Sequence, residues 1–162
     1  MDSNWNEGSM KQVVAVTAAA GVAAAAYYWL ARSDPQDAGI LPYRDPQAVA
    51  LGEAVYLDNC ASCHGADLQG EPNWQDRDSD GYLPAPPQDE SGHTWHHPDA
   101  QLLDITRRGV AEVVGDGYRS RMGGFAGVLT EEEMLAVLAY IKSRWPAEVI
   151  ARHNQINSQA GD

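Results

Sequence analysis

The run Cys60-Ala61-Ser62-Cys63-His64 constrains this chain more than any other feature, because it places both cysteines of the sequence and a histidine within one short stretch. Two thiols so close together are a poor structural staple, and two cysteines in all are too few for a disulfide framework. Their spacing therefore points to chemistry. A C-x-x-C-H run reads as a c-type haem attachment site: the two thiols add to the two vinyl groups, and the adjacent imidazole reaches the iron. Two readings compete with it. A thioredoxin-like dithiol accompanies a βαβ pattern, which this sequence lacks. A closed zinc site needs four ligands and would have to recruit His93, His96 or His97.

Length and charge narrow the setting. A chain of 162 residues carries one domain with appendages. The formal charge is -12, and no Lys/Arg-rich stretch is present to neutralise a run of phosphates, so no nucleic-acid binding is expected. Of the 23 carboxylates, 21 lie after residue 31. Such an acidic body is repelled by anionic surfaces and steered towards a basic patch on a partner; the plainer reading is charge for solubility.

Residues 13–31, VVAVTAAAGVAAAAYYWLA, contain neither a charge nor a proline. Their number is close to the roughly 20 that span a bilayer as a helix. Tyr27, Tyr28 and Trp29 cluster at the exit end, where amphipathic rings favour the headgroup level. The segment reads as a retained transmembrane anchor, with residues 1–12 as a short cytoplasmic N-terminus. A cleaved signal peptide competes, on the small residues near Ala24 and Ala26, but the apolar run exceeds the usual signal core. Lys11 before the run and Arg32 and Arg44 after it leave the orientation open.

Residues 32–45 hold two prolines and read as a linker. Asp45 and Pro46 then suit the N-cap and first position of a helix that carries Val49, Gly52 and Tyr56 at helical spacing and ends at Asn59. The stretch 70–97 is turn-rich, with Pro84, Pro86 and Pro87 against regular structure, and a loop of that length asks for a cofactor to pack on. A short helix opens at Pro98 and Asp99 and stops at Gly109. Thr130 and Glu133 form a capping box before the best-specified helix, whose Met134, Val137, Leu138, Ile141 and Trp145 share a face, with Pro146 closing it. Residues 148–162 read as a polar, frayed tail. With no convincing strand, the expected fold class is all-α: a bundle of about three to four helices around one haem, over residues 46–147.

From Asp45 to Trp145 the chain resembles a class I c-type cytochrome, in a membrane-anchored monohaem form. The resemblance rests on a helix bearing Gly52 and Tyr56, then CASCH, a proline-rich loop, a late methionine before an aromatic, and a final helix carrying LAYIK. It implies one covalent haem c held by Cys60 and Cys63, with His64 as proximal iron ligand. It also implies a crossing of the first and last helices at Gly52 and Tyr56 against Val137 and Tyr140, and a backbone carbonyl near Pro84 to Pro87 accepting the Nδ1 proton of His64.

The distal ligand is a choice among four methionines. Met1 and Met10 precede the apolar run, and Met134 lies on a core stripe, where filling space is its default role. Met122, in the glycine-rich RMGGFAG, is the expected ligand. The family's usual proline after this methionine is Gly123 here, which leaves the loop less preorganised. Trp74, Tyr82 and Trp95 are candidates to wall the pocket or donate to a propionate, and Arg119 and Arg121 to pair with propionate charge. Residues His93, His96 and His97 read first as loop or capping histidines, with bis-imidazole ligation as the competing role.

An iron with both axial positions filled has no open site for substrate, so the expectation is an electron carrier and no enzyme, with no small-molecule substrate. The resemblance implies a haem domain on the periplasmic side of a bacterial cytoplasmic membrane. Membrane redox complexes are the implied partners: a quinol-oxidising cytochrome complex as donor, a terminal oxidase as acceptor, and the bilayer through the N-terminal helix. The alternatives are a permanent haem subunit of a larger membrane oxidoreductase, and a haem sensor or peroxidase-like enzyme with a displaceable ligand.

Overall fold

The two helices that cross to form the core each start at a well-formed side-chain cap. In the computed structural model, which describes residues 38–161, the side chain of Asp45 accepts the Gln47 N–H at 2.9 Å and Pro46 occupies the first turn of α1, Pro46–Asn59. Proline costs nothing there, because the first turn's N–H groups lack intrahelical partners in any case. A single turn, α2 (Ala61–His64), follows at once and carries the C-x-x-C-H run. After the proline-rich stretch, a 3-10 turn at Thr94–His96 leads into α3 (Asp99–Arg108) and α4 (Val110–Val114). The capping box at Thr130 and Glu133 is fully formed and opens α5, Glu131–Ser143. A last helix, α6, runs Ala147–Ala160.

All regular elements among the described residues are helices, apart from an isolated antiparallel bridge between Gly109 and Gly123. That bears out the all-α expectation, with more helices than the three or four foreseen. Helix α6 corrects the reading of residues 148–162 as a frayed tail: His153 is fully buried and Asn154 nearly so. The error has a physical cause. The helix buries polar side chains in a polar site, so no apolar stripe announced it.

The core forms where α1 crosses α5. A Cβ on Gly52 would overlap the Ala136 carbonyl, so glycine is what lets the two backbones approach. Tyr56 and Tyr140 fill the flank with ring centroids 5.4 Å apart. The crossing expected at Gly52 and Tyr56 is present, with Ala136 rather than Val137 against the glycine. Around it Val55, Leu68, Leu102, Leu103, Met134, Val137 and Ile141 make one continuous cluster.

The chain divides after Asp37, and the second unit, from Ala38, contains every described residue. Among these, no helix is long and apolar enough to cross a membrane. The N-terminus 1–12, the candidate span 13–31 and the linker up to residue 37 lie outside the described residues. The rest of the expected linker is held: the Ile40 and Leu41 N–H groups donate to Asp99 Oδ2 at 2.8 and 3.1 Å.

Candidate functional site

The attachment turn is built by the end of α1. Cys60 caps that helix, its N–H donating to the Tyr56 carbonyl at 2.8 Å, and the His64 N–H donates to the Cys60 carbonyl at 2.9 Å. Both thiols are free, Cys60 half-buried and Cys63 exposed. Burial, reinforced by neighbouring Cys63, pushes the free Cys60 thiol up to about 11. A thioredoxin-like dithiol sits beside a βαβ unit, whereas this turn is flanked by helices alone among the described residues. Among the described residues no group of three or more His, Cys, Asp or Glu is placed to hold a metal ion.

His64 is buried, at 8 % exposure, and its Nδ1 lies 2.8 Å from the Pro86 carbonyl oxygen. A carbonyl only accepts, so Nδ1 carries the proton and Nε2 presents its lone pair. Burial lowers the His64 pKa, against the opposing pull of the Pro86 carbonyl and Glu71, and favours the neutral ring that a metal needs. The turn is braced from behind by Tyr56, whose hydroxyl donates to the Gly65 carbonyl at 2.7 Å. Burial raises that phenol's pKa well beyond the ordinary range, so it stays a donor.

Met122 sits half-buried on a loop tied to the end of α3. Gly109 bridges to Gly123, and the Phe125 and Ala126 N–H groups donate to the Thr106 and Arg107 carbonyls at 3.0 and 3.1 Å. A Cβ on Gly124 would come within 2.6 Å of the Arg107 carbonyl oxygen, and Gly109 adopts φ +87. These backbone ties supply order that the missing proline does not. Their sequence signal is the glycine pair itself, Gly123 and Gly124, whose second member admits the close backbone approach. Phe125 packs on the same core as Cys60, Ala61 and Trp95, so the attachment turn and the methionine loop border one apolar cluster.

The remaining candidates are more dispersed. The guanidiniums of Arg119 and Arg121 both lie over the Tyr82 ring, 4.3 Å from its centroid. Arg121 is bound to Asp78 at 2.6 Å, so much of its charge is already matched, while Arg119 makes no ion pair among the described residues. Trp74 stacks on His93, at 5.6 Å between centroids. The Trp95 indole N–H donates to the Glu90 carbonyl at 3.2 Å, which engages it away from any propionate. His93 also meets His97 edge to face, and His96 packs on Trp95, so these three histidines have partners in their own loop.

The donor set fits a covalent c-type haem: two unpaired thiols on one turn, an imidazole with Nδ1 engaged and Nε2 uncommitted, and a thioether on an ordered loop. The cytochrome c family matches residues 49–145. Among curated proteins, the cbb3-type cytochrome c oxidase subunit CcoP of Rubrivivax gelatinosus is 30 % identical over 122 residues, 73 % of this chain and 32 % of its own length. The cbb3-type oxidase subunits FixP of Azorhizobium caulinodans and of Sinorhizobium medicae are 25 % and 28 % identical, over 62 % and 59 % of this chain and 32 % and 30 % of theirs. The chain thus spans about a third of the length of the curated relatives it matches. No solved structure gives a significant match.

Proposed function

The chain belongs to the cytochrome c family, with one class I domain over residues 49–145 and a covalent haem c as its cofactor, and on that premise we propose that it is a membrane-tethered monohaem electron carrier delivering electrons to a terminal oxidase. Bound haem supplies a one-electron couple. Cys60 and Cys63 would hold it by thioether bonds, His64 would bind the iron through Nε2, and Met122 would supply the second protein ligand. Pro86 fixes the imidazole; Arg119, with Arg121, Tyr82 and Trp74 as lesser candidates, would border the propionates, and Trp95 would wall the pocket. The observation that carries this reading is the His64 Nδ1–Pro86 contact, which leaves a buried, correctly protonated imidazole one residue from a thiol.

Residues 13–31 serve as the anchor, with 1–12 on the cytoplasmic side and the haem domain, from residue 46, on the periplasmic side of a bacterial cytoplasmic membrane. Tethering replaces three-dimensional search by a high effective concentration near other membrane complexes. The acidic body favours partners with a basic docking patch. The donor is a quinol-oxidising cytochrome complex.

A second reading is favoured by the relatives themselves, which are oxidase subunits: the chain is a permanent electron-entry subunit of a larger membrane oxidoreductase. Purification from detergent-solubilised membranes separates the two. A shuttle runs alone and is reoxidised by added oxidase; a subunit co-purifies in fixed ratio with oxidase polypeptides. Haem released under denaturing conditions would sink both readings, since thioether attachment survives unfolding.

A further inference from the structure

The carbonyl that orients His64 belongs to residues 85–88, a strip with no regular structure of its own. Pro86 and Pro87 have no N–H to donate, so the strip is held from outside. On one side Gly70 packs against its backbone so closely that no Cβ fits, and the Gln88 N–H donates to the Leu68 carbonyl at 2.8 Å. On the other side the indole N–H of Trp145 donates to the Gln88 carbonyl at 2.7 Å, across 57 residues of sequence.

Trp145 is itself locked. It is 4 % exposed, just beyond the end of α5, and the His153 ring of α6 meets it edge to face at 5.1 Å between centroids. His153 Nε2 is fixed in turn by the His97 carbonyl at 2.9 Å, and stands 3.3 Å from Asp99 Oδ1. A buried tryptophan has to find an acceptor for its N–H, and which acceptor it finds is what matters. Here that N–H ends on the strip that carries the ligand's hydrogen-bond acceptor.

We propose that Trp145 is a positioning residue for the proximal ligand: by holding the Gln88 carbonyl it keeps the Pro86 carbonyl on the Nδ1–H of His64, and so sets how strongly that imidazole donates to the iron. The inference rests on His64 being the iron ligand. The linkage between the two carbonyls is short and stiff, because the ring of Pro87 fixes its φ. A hydrogen bond at the second ring nitrogen raises the basicity of a metal-bound imidazole. A stronger donor favours ferric iron, and its weakening raises the reduction potential.

The test is Trp145→Phe in the full-length holoprotein, read by midpoint potential and by NMR of the ferric form. The variant is expected to remain low-spin while its potential rises and the His64 Nδ1–H exchanges faster with solvent. A potential equal to or below that of the wild type overturns the proposal. Met134→Leu, which disturbs the same helix away from the strip, is expected to leave the potential in place; an equal rise there would mean general loosening and overturn it too. If Trp145→Phe does not fold, exchange in the wild type decides. The Trp145 indole N–H and the His64 Nδ1–H should open together, and fast exchange of the indole beside a slow His64 proton contradicts the linkage. The two readings fail differently: wild-type His64 ring resonances without a paramagnetic shift remove the ligand and the proposal together, whereas shifted resonances with an unmoved potential remove the proposal alone.

Discussion

Gly52 of α1 and Ala136 of α5 meet backbone to backbone, at a crossing where any added Cβ would overlap the Ala136 carbonyl and crowd the Tyr140 side chain. Both helices are rigid and the obstructing atoms are main chain, so the strain has no flexible side chain to absorb it. Gly52→Ala therefore destabilises the domain despite its better helix propensity, by about 1–3 kcal/mol or more. Urea unfolding of the two proteins measures this; an unchanged midpoint would contradict the crossing.

Met122 and Met134 occupy contrasting places, one half-buried on a loop and the other 3 % exposed in the core. Met134→Ala should cost about 2–5 kcal/mol through the cavity it leaves, with the low-spin spectrum intact. Met122→Ala should cost far less stability but lose the thioether ligand, raise the high-spin fraction and admit carbon monoxide to the reduced iron. Absorption spectra and unfolding curves of both variants test the pair; the opposite pattern would transfer the ligand to Met134.

Asp99 lies between Lys142 and His153, with Nζ and Nε2 at 3.8 and 3.3 Å from Oδ1, all three side chains nearly inaccessible to solvent. Removing one member of a buried charged group costs about 3–5 kcal/mol, because the others remain desolvated. Asp99→Asn keeps an acceptor for the Ile40 and Leu41 N–H groups yet removes the charge, so a loss in that range is expected with the absorption spectrum unchanged. Thermal unfolding at pH 7 would show it, and a loss under 1 kcal/mol would show that the carboxylate acts mainly as a hydrogen-bond acceptor.

Acid should weaken the same region. Burial, followed by the Lys142 charge, lowers the His153 pKa below its ordinary 6.5, against the opposing effects of Asp99 and the His97 carbonyl. With the Nε2 proton facing a carbonyl, Nδ1 is left in the interior without a hydrogen-bond partner, and a second proton there would be unsolvated. The unfolded chain then takes up a proton sooner than the folded one. Stability contributed by His153 is full above about pH 6.5, falls as the pH drops below that value, and levels off once the folded protein is protonated. Unfolding midpoints between pH 8 and 5, compared with His153→Gln, should show a steeper acid loss in the wild type; parallel curves would exclude the effect.

How much of this was readable from the sequence depended on distance along the chain. The Asp45 cap, the Thr130–Glu133 capping box, the Gly109 stop and the Cys60-to-His64 turn are contacts within a few residues, and residue type alone specifies them. Lys142 carries a longer-range signal: it stands on the Met134–Leu138 face of α5, where a charge is out of place unless paired. Nothing local marked Asp99 as more than a first-turn acid, or His153 as more than a residue of a polar tail.

By itself, therefore, the sequence determined the cofactor chemistry, the all-α class and the position of most helices, since covalent spacing and short-range hydrogen bonds decide those. Tertiary structure decided the rest: that Pro86 rather than a neighbour supplies the carbonyl, that Trp145 reaches Gln88, and that α6 docks over Asp99. Each joins groups 22 to 57 residues apart in sequence. Such contacts depend on how the α1–α5 crossing and the proline strip pack in three dimensions, and burial then gives a polar side chain a role that its own neighbours in the chain do not foretell.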